Sequence, residues 1–272
     1  MVPTYVRFGA FLAAFVLLAG CIGSPEPVST ASVEGPAELS VEVPLLATLG
    51  FGGCVEQIAV FTIPSSVLGP LPPGFKASSL DPAGATSLIV TIAYRCEQTQ
   101  VGDAQATSTV MLGLLAVDPP AEHAGEGFDH YGIVVGGWAD TPGVADVLAS
   151  WKLPNVGLGK VRLDVAQTPL GQTGSSHGED EDFWISIDTV VTGSPTKGEP
   201  SAARLYIVED ATLLGYVDSR DRAGAMGLEG TAVLRQAFLP IPVPFAQPGL
   251  GFHIWGEGYG FDFEYVPLKA EA

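Results

Sequence analysis

The stretch Ile63-Pro64-Ser65-Ser66-Val67-Leu68-Gly69-Pro70-Leu71-Pro72-Pro73-Gly74-Phe75 decides how the chain folds around it. Residues 64–69 have room for one short helical turn. After that, the prolines fix φ and remove backbone donors, and Gly74 permits a tight reversal. What enters and leaves this corner is β-like: residues 55–63 before it and 86–94 after it are apolar and β-branched, bounded by Gly, Pro and Asp. The same signal recurs at 107–117, 131–135, 161–165, 183–191, 203–208, 213–217, 231–238 and 251–263. About ten strands in a chain with 34 glycines and 22 prolines predict a mainly β domain with few helices. Its sheet is expected to be large, antiparallel and closed or nearly closed, which also removes exposed strand edges. One helix stands out at 141–151, where Thr141 can cap, Pro142 can take the first helical position, and Val144, Val147, Leu148 and Trp151 share a face.

A short helix running into Leu71-Pro72-Pro73-Gly74-Phe75 and then a strand resembles the acetoacetate decarboxylase-like superfamily. The likeness is carried by residues 55–96 and elsewhere by the order of elements. It implies a cone-shaped, β-rich barrel with an enclosed ligand cavity, with Phe75 plugging the barrel edge. It also implies decarboxylation through a lysine Schiff base, whose protonated imine accepts electrons as carbon dioxide leaves. Such a lysine must be partly neutral, through an adjacent cation or an apolar pocket. In the comparable region stands Trp151-Lys152-Leu153-Pro154, and Lys152 is one of five lysines in the chain. That makes Lys152 the candidate nucleophile and Glu56, from the order of elements, its candidate carboxylate partner. The paired lysine of the family pattern is missing, because Leu153 follows Lys152 and the next lysine is Lys160. The alternative for Lys152 is a surface cation near a helix C-terminus.

The N-terminus points to export. Arg7 precedes the apolar run 8–18, which is shorter than the roughly 20 residues a spanning helix needs. Leu18-Ala19-Gly20-Cys21 resembles the lipobox of prokaryotic lipoproteins, in which the cysteine thiol takes a diacylglycerol; the alternative is an uncleaved anchor helix. Two acyl chains anchor stably where one does not. The expected organisation is a signal peptide at 1–20, a lipid-anchored flexible tether at 21–40, rich in Pro, Ser and Glu, and a single β-rich domain at 41–272. The protein is thus expected at the cell membrane, on its extracytoplasmic face. In that oxidising setting Cys54 and Cys96 are expected to form a disulfide rather than remain two buried thiols.

Without Arg7 the mature chain carries 11 Lys plus Arg against 30 Asp plus Glu, a formal charge of −19. Phosphate binding needs clustered cations, so nucleic acid is excluded as a partner. None of His123, His130, His177 and His253 stands in a metal-ligand pattern, and no metal or cofactor is expected. The acidic run 177–182 reads as a solvated loop or a Ca²⁺ loop without EF-hand spacing. The aromatic-glycine run 249–261 reads as a bend at a barrel corner or as a cavity lining. No Gly-x-Ser-x-Gly elbow is present. Three functions stay open: binding a small, largely apolar molecule in the cavity, Schiff-base decarboxylation through Lys152, and an acidic cell-surface module for a protein partner.

Overall fold

The computed structural model describes residues 48–268 apart from 170, 181–183 and 238–246. The signal peptide, Cys21, the tether, the expected domain start and residues 181 and 182 of the acidic run all lie outside the described residues. Helices are few. A 3-10 turn, Ser65–Val67, follows β1 (Thr48–Pro64), and helix α1 (Ala121–Ala124) is a single turn. Helix α2 (Pro142–Ser150) is where the sequence places it, with Pro142 in its first turn and Val144, Val147, Leu148 and Trp151 buried. Thr141 departs from its expected role. Its hydroxyl donates to Asp140 Oδ1 at 2.8 Å, with the Thr107 carbonyl oxygen 3.3 Å away, instead of capping the helix. No described helix is long and apolar enough to cross a membrane.

The remaining elements are β2 (Lys76–Ala77), β3 (Thr86–Val101), β4 (Ala104–Asp118), β5 (His130–Ala139), β6 (Val156–Leu158), β7 (Lys160–Thr168), β8 (Gly171–Glu179) and β9 (Trp184–Thr192). They continue with β10 (Thr196–Lys197), β11 (Ala202–Glu209), β12 (Thr212–Asp221), β13 (Met226–Ala237), β14 (Gln247–Trp255) and β15 (Gly260–Pro267). Seven of them close a ring in the order β1, β3, β4, β5, β11, β12, β15 and back to β1. Five more extend from β1 as a wing, β14, β13, β9, β8 and β7, and the short β2, β6 and β10 pair at the side with β4, β5 and β13. Pairing is antiparallel except that β5 runs parallel to β11 and to β6, so the fully antiparallel expectation is corrected at these two places.

β1 belongs to both parts. Its first residues, Thr48 to Gly52, pair with β15, and from Val55 to Val60 it pairs with β14. Gly53 sits at the change of partner with φ +63°, a conformation that glycine adopts without a Cβ penalty. Inside the ring, Phe51, Tyr94, Phe261 and Phe263 pack ring against ring, and Trp151 stacks on Tyr265 at 5.7 Å. The run 249–261 is an interrupted strand: its two halves pair antiparallel with successive parts of β1 along one edge, and residues 256–259 make the bend between them. The halves belong to β14 and β15, and Tyr259 and Phe261 enter the core.

Phe75 is also relocated. It does not plug the barrel edge but packs on the outer face of the ring with Leu115, Val117, Ile133 and Tyr206, edge-on to the Tyr206 ring at 4.8 Å. The corner is therefore a clamp over β4, β5 and β11. Phe75→Leu keeps apolar contact but loses the aromatic edge, so the urea midpoint should fall by the equivalent of about 1 kcal/mol.

Candidate functional site

Cys54 lies directly opposite Cys96 on β1 and β3, and the two form a disulfide. Two residues further along the same strands, Glu56 lies directly opposite Tyr94. The one carboxylate of β1 is thereby carried to the inner face of the ring, opposite the Tyr94 on which Phe51, Phe261 and Phe263 pack. Glu56 is only 8 % exposed, and Tyr259 donates its hydroxyl to Glu56 Oε2 at 2.7 Å. The backbone holds this geometry as well, because the Cys54 amide donates to the Tyr259 carbonyl at 3.1 Å.

Burial dominates the electrostatics here. Desolvation pushes the Glu56 carboxyl up from 4.5 to about 7; the Tyr259 hydrogen bond opposes this and the nearby Asp221 carboxylate adds to it. Tyr94 and Tyr259 are both pushed well above the ordinary phenol range, first by burial and then by Glu56. Asp221 is itself raised by burial, although Ser201 donates to it from both backbone and side chain. Near neutrality a large fraction of Glu56 is therefore a neutral acid with a proton to donate. The Tyr94 hydroxyl is buried and has no hydrogen-bond partner. A protonated carboxyl and, on the residue directly opposite, a phenol without a partner in the protein are two donors suited to one oxygen acceptor.

The structure places Lys152 elsewhere. It is exposed and follows the C-cap Trp151 of α2 in a left-handed conformation, φ +60°. Trp151, fully buried, occupies the core position next to it. Lys152 thus stands in solvent while Glu56 is buried, which is at odds with the apolar surroundings that the resemblance implies for the lysine. Lys76, Lys160 and Lys197 are exposed too. At a left-handed position after a helix, glycine is the favoured residue, so Lys152→Gly should raise stability by about 1 kcal/mol in a denaturant titration.

Other candidates resolve into structure. His177 and Glu179 lie in β8, Lys160 pairs with Glu179 at 2.7 Å, and Trp138 donates to Asp180 at 2.6 Å. Among the described residues no group of three or more ligating side chains is placed to hold a metal. Sequence reasoning reached Glu56 only through element order and missed Tyr94 and Tyr259. The available signal was the carboxylate itself, between Val55 and Gln57 in a strand otherwise bound for a core.

No protein-family model matches this sequence, and no curated protein sequence matches it. Solved structures do. An acetoacetate decarboxylase-like enzyme from Sphingomonas wittichii RW1 superposes with a TM-score of 0.52 at 13 % identity, covering 88 % of this chain and 100 % of that one. A structure described as acetoacetate decarboxylase gives a TM-score of 0.52 at 11 % identity, covering 84 % of this chain and 93 % of its own. At such identities the likeness is one of architecture. The described part of the chain has the fold of acetoacetate decarboxylase-like proteins.

Proposed function

We propose that this chain is a lipid-anchored, extracytoplasmic binding protein that takes a small, largely apolar molecule bearing a carbonyl or carboxyl oxygen into the ring at Glu56 and Tyr94. The observation that carries the reading is the buried, unpartnered Tyr94 hydroxyl opposite a carboxyl held largely neutral by burial. Phe51, Phe261 and Phe263 pack around Tyr94 and make this part of the interior apolar, and the two donors suit one acceptor oxygen. Support for the compartment comes from Arg7, the apolar run and Leu18-Ala19-Gly20-Cys21. The disulfide is consistent with it. Decarboxylation through Lys152 is the weaker reading, since a lysine in solvent lacks the burial that would make its amine nucleophilic.

Calorimetric titration with 2-octanone and with octanoic acid tests the reading. Binding is expected for at least one of them, weakened roughly tenfold by Tyr94→Phe, which removes one hydrogen bond and little else. Borohydride added with acetoacetate is expected to leave the protein mass unchanged. A covalent adduct on a lysine, or no binding of either probe at millimolar concentration, would overturn the proposal. The anchor is tested separately: Cys21→Ser should move the protein from the membrane to the soluble fraction.

A further inference from the structure

Gln57 follows Glu56 on β1 and therefore leaves the opposite face of the strand, into the layer between the ring wall and the wing. Its Nε2 donates to Thr189 Oγ1 at 2.8 Å, Thr189 Oγ1 lies 2.5 Å from His253 Nε2, and His253 Nδ1 lies 3.1 Å from Gln172 Oε1. The directions of these bonds follow from the partners. Gln172 Oε1 only accepts, so His253 Nδ1 carries the proton, and Nε2 accepts from the Thr189 hydroxyl. Donation thus runs in one line, Gln57 to Thr189 to His253 to Gln172.

Three groups in the same layer are left over. Gln57 Oε1, Thr91 Oγ1 and Ser176 Oγ are buried and have no hydrogen-bond partner, in residues that are 1 %, 3 % and 1 % exposed. Gln57 stands opposite Ala93 and Thr91 opposite Ala59, so the two are diagonal neighbours on one face of the sheet. Ser176 enters from the wing, opposite Ile187, whose carbonyl also receives a long bond from Gln57 Nε2 at 3.4 Å. An unpaired buried hydroxyl or amide oxygen is expensive, and protein interiors usually meet such groups with water that makes about two to four bonds.

We propose that the layer between ring and wing is an internal hydration site, in which one or two water molecules are bound by Gln57 Oε1, Thr91 Oγ1 and Ser176 Oγ. The ligand class follows from the groups on offer. Gln57 Oε1 needs a donor, whereas the two hydroxyls accept either role, so the occupant is a small molecule that both donates and accepts. It is uncharged. Ala59, Ala93, Leu163 and Ile187 line the layer, and burial pushes His253 down to about 4, which keeps it neutral near pH 7. Arg95 is exposed and spends one donor on the Leu163 carbonyl. This site is independent of ligand binding at Glu56, which lies on the other side of β1.

Thr91→Val separates a hydrated layer from a dry one by the sign of its effect. If water bridges the hydroxyl, replacing it with a methyl of nearly the same shape strands the water, and the urea midpoint falls. If the layer is dry, the same change removes an orphaned polar group, and the midpoint stays or rises. Ser176→Ala should behave like Thr91→Val, and the double variant should lose less than the sum because both contact shared water. A high-resolution crystal structure should show density within hydrogen-bond reach of Gln57 Oε1 that weakens or vanishes in Thr91→Val. An unchanged or raised midpoint in both single variants, or an ordered layer with no such density, refutes the hydration site.

Discussion

Glu56→Gln stabilises the protein at pH 8 by on the order of 3 kcal/mol and changes it little at pH 4. The wild-type carboxyl has a pKa of about 7 when folded, against 4.5 in the unfolded reference. Between these values the folded state binds more protons than the unfolded state. Its stability is therefore lost as pH rises from about 4.5 to about 7 and does not return above that. Glutamine mimics the protonated acid and still accepts from Tyr259, so the variant escapes that loss. The melting temperature at pH 8 should rise by roughly 5–10 °C over wild type. An equal shift at pH 4 and pH 8 would show that charge burial is not the cause.

His253 has the opposite sign. Burial lowers it from 6.5 to about 4, so the unfolded state binds more protons in that window and stability is lost as pH falls through it. From about pH 4.5 to 6.5 the two groups nearly cancel in wild type. Glu56→Gln should uncover the histidine slope, with stability falling below pH 6.5 more steeply than in wild type. The difference between variant and wild-type curves isolates each group.

The double variant Cys54→Ala and Cys96→Ala loses about 4 kcal/mol, read from denaturant midpoints at pH 7. The bridge closes a loop with a sequence separation of 42, and the chain-entropy relation gives that value as an upper figure. The two cysteines are buried, 2 % and 0 % exposed, so the deleted sulfurs add a packing loss that works in the same direction. Reductant without denaturant should act slowly on the wild type for the same reason. A double variant within 1 kcal/mol of wild type would mean that the paired strands β1 and β3 already restrict the unfolded chain as much as the bridge does.

Much of the fold was legible because its strands are apolar on the faces that meet the core. Residues 55–63, 86–94 and 107–117 became the later part of β1, the start of β3 and most of β4, and the structure lengthened each. β8 was not legible. Its sequence, Gly171-Gln172-Thr173-Gly174-Ser175-Ser176-His177-Gly178-Glu179, has no apolar alternation. Its small residues are needed by neighbours instead: a Cβ on Gly174 would lie 2.4 Å from His253 Nε2, and one on Gly178 would lie 2.5 Å from Trp138. Spacing along the chain carries no record of contacts made by side chains from β14 and β5. The site was half legible for a related reason. Glu56 is conspicuous in its strand, but Tyr259 reaches it across 203 residues of sequence. Lys152 looked apt because Trp151 and α2 are apolar, yet the helix has ended by then, and the left-handed turn after the buried tryptophan leaves the lysine in solvent.

β1 is a party wall: Glu56 serves the room on one side and Gln57 the room on the other. Removing a single residue between Gly53 and Glu56 would turn every later side chain of the strand through to the wrong side. The acid would then take the place opposite Trp255, and the amide would face Tyr94. The length of that short stretch, more than the identity of any residue in it, keeps the two interiors chemically distinct.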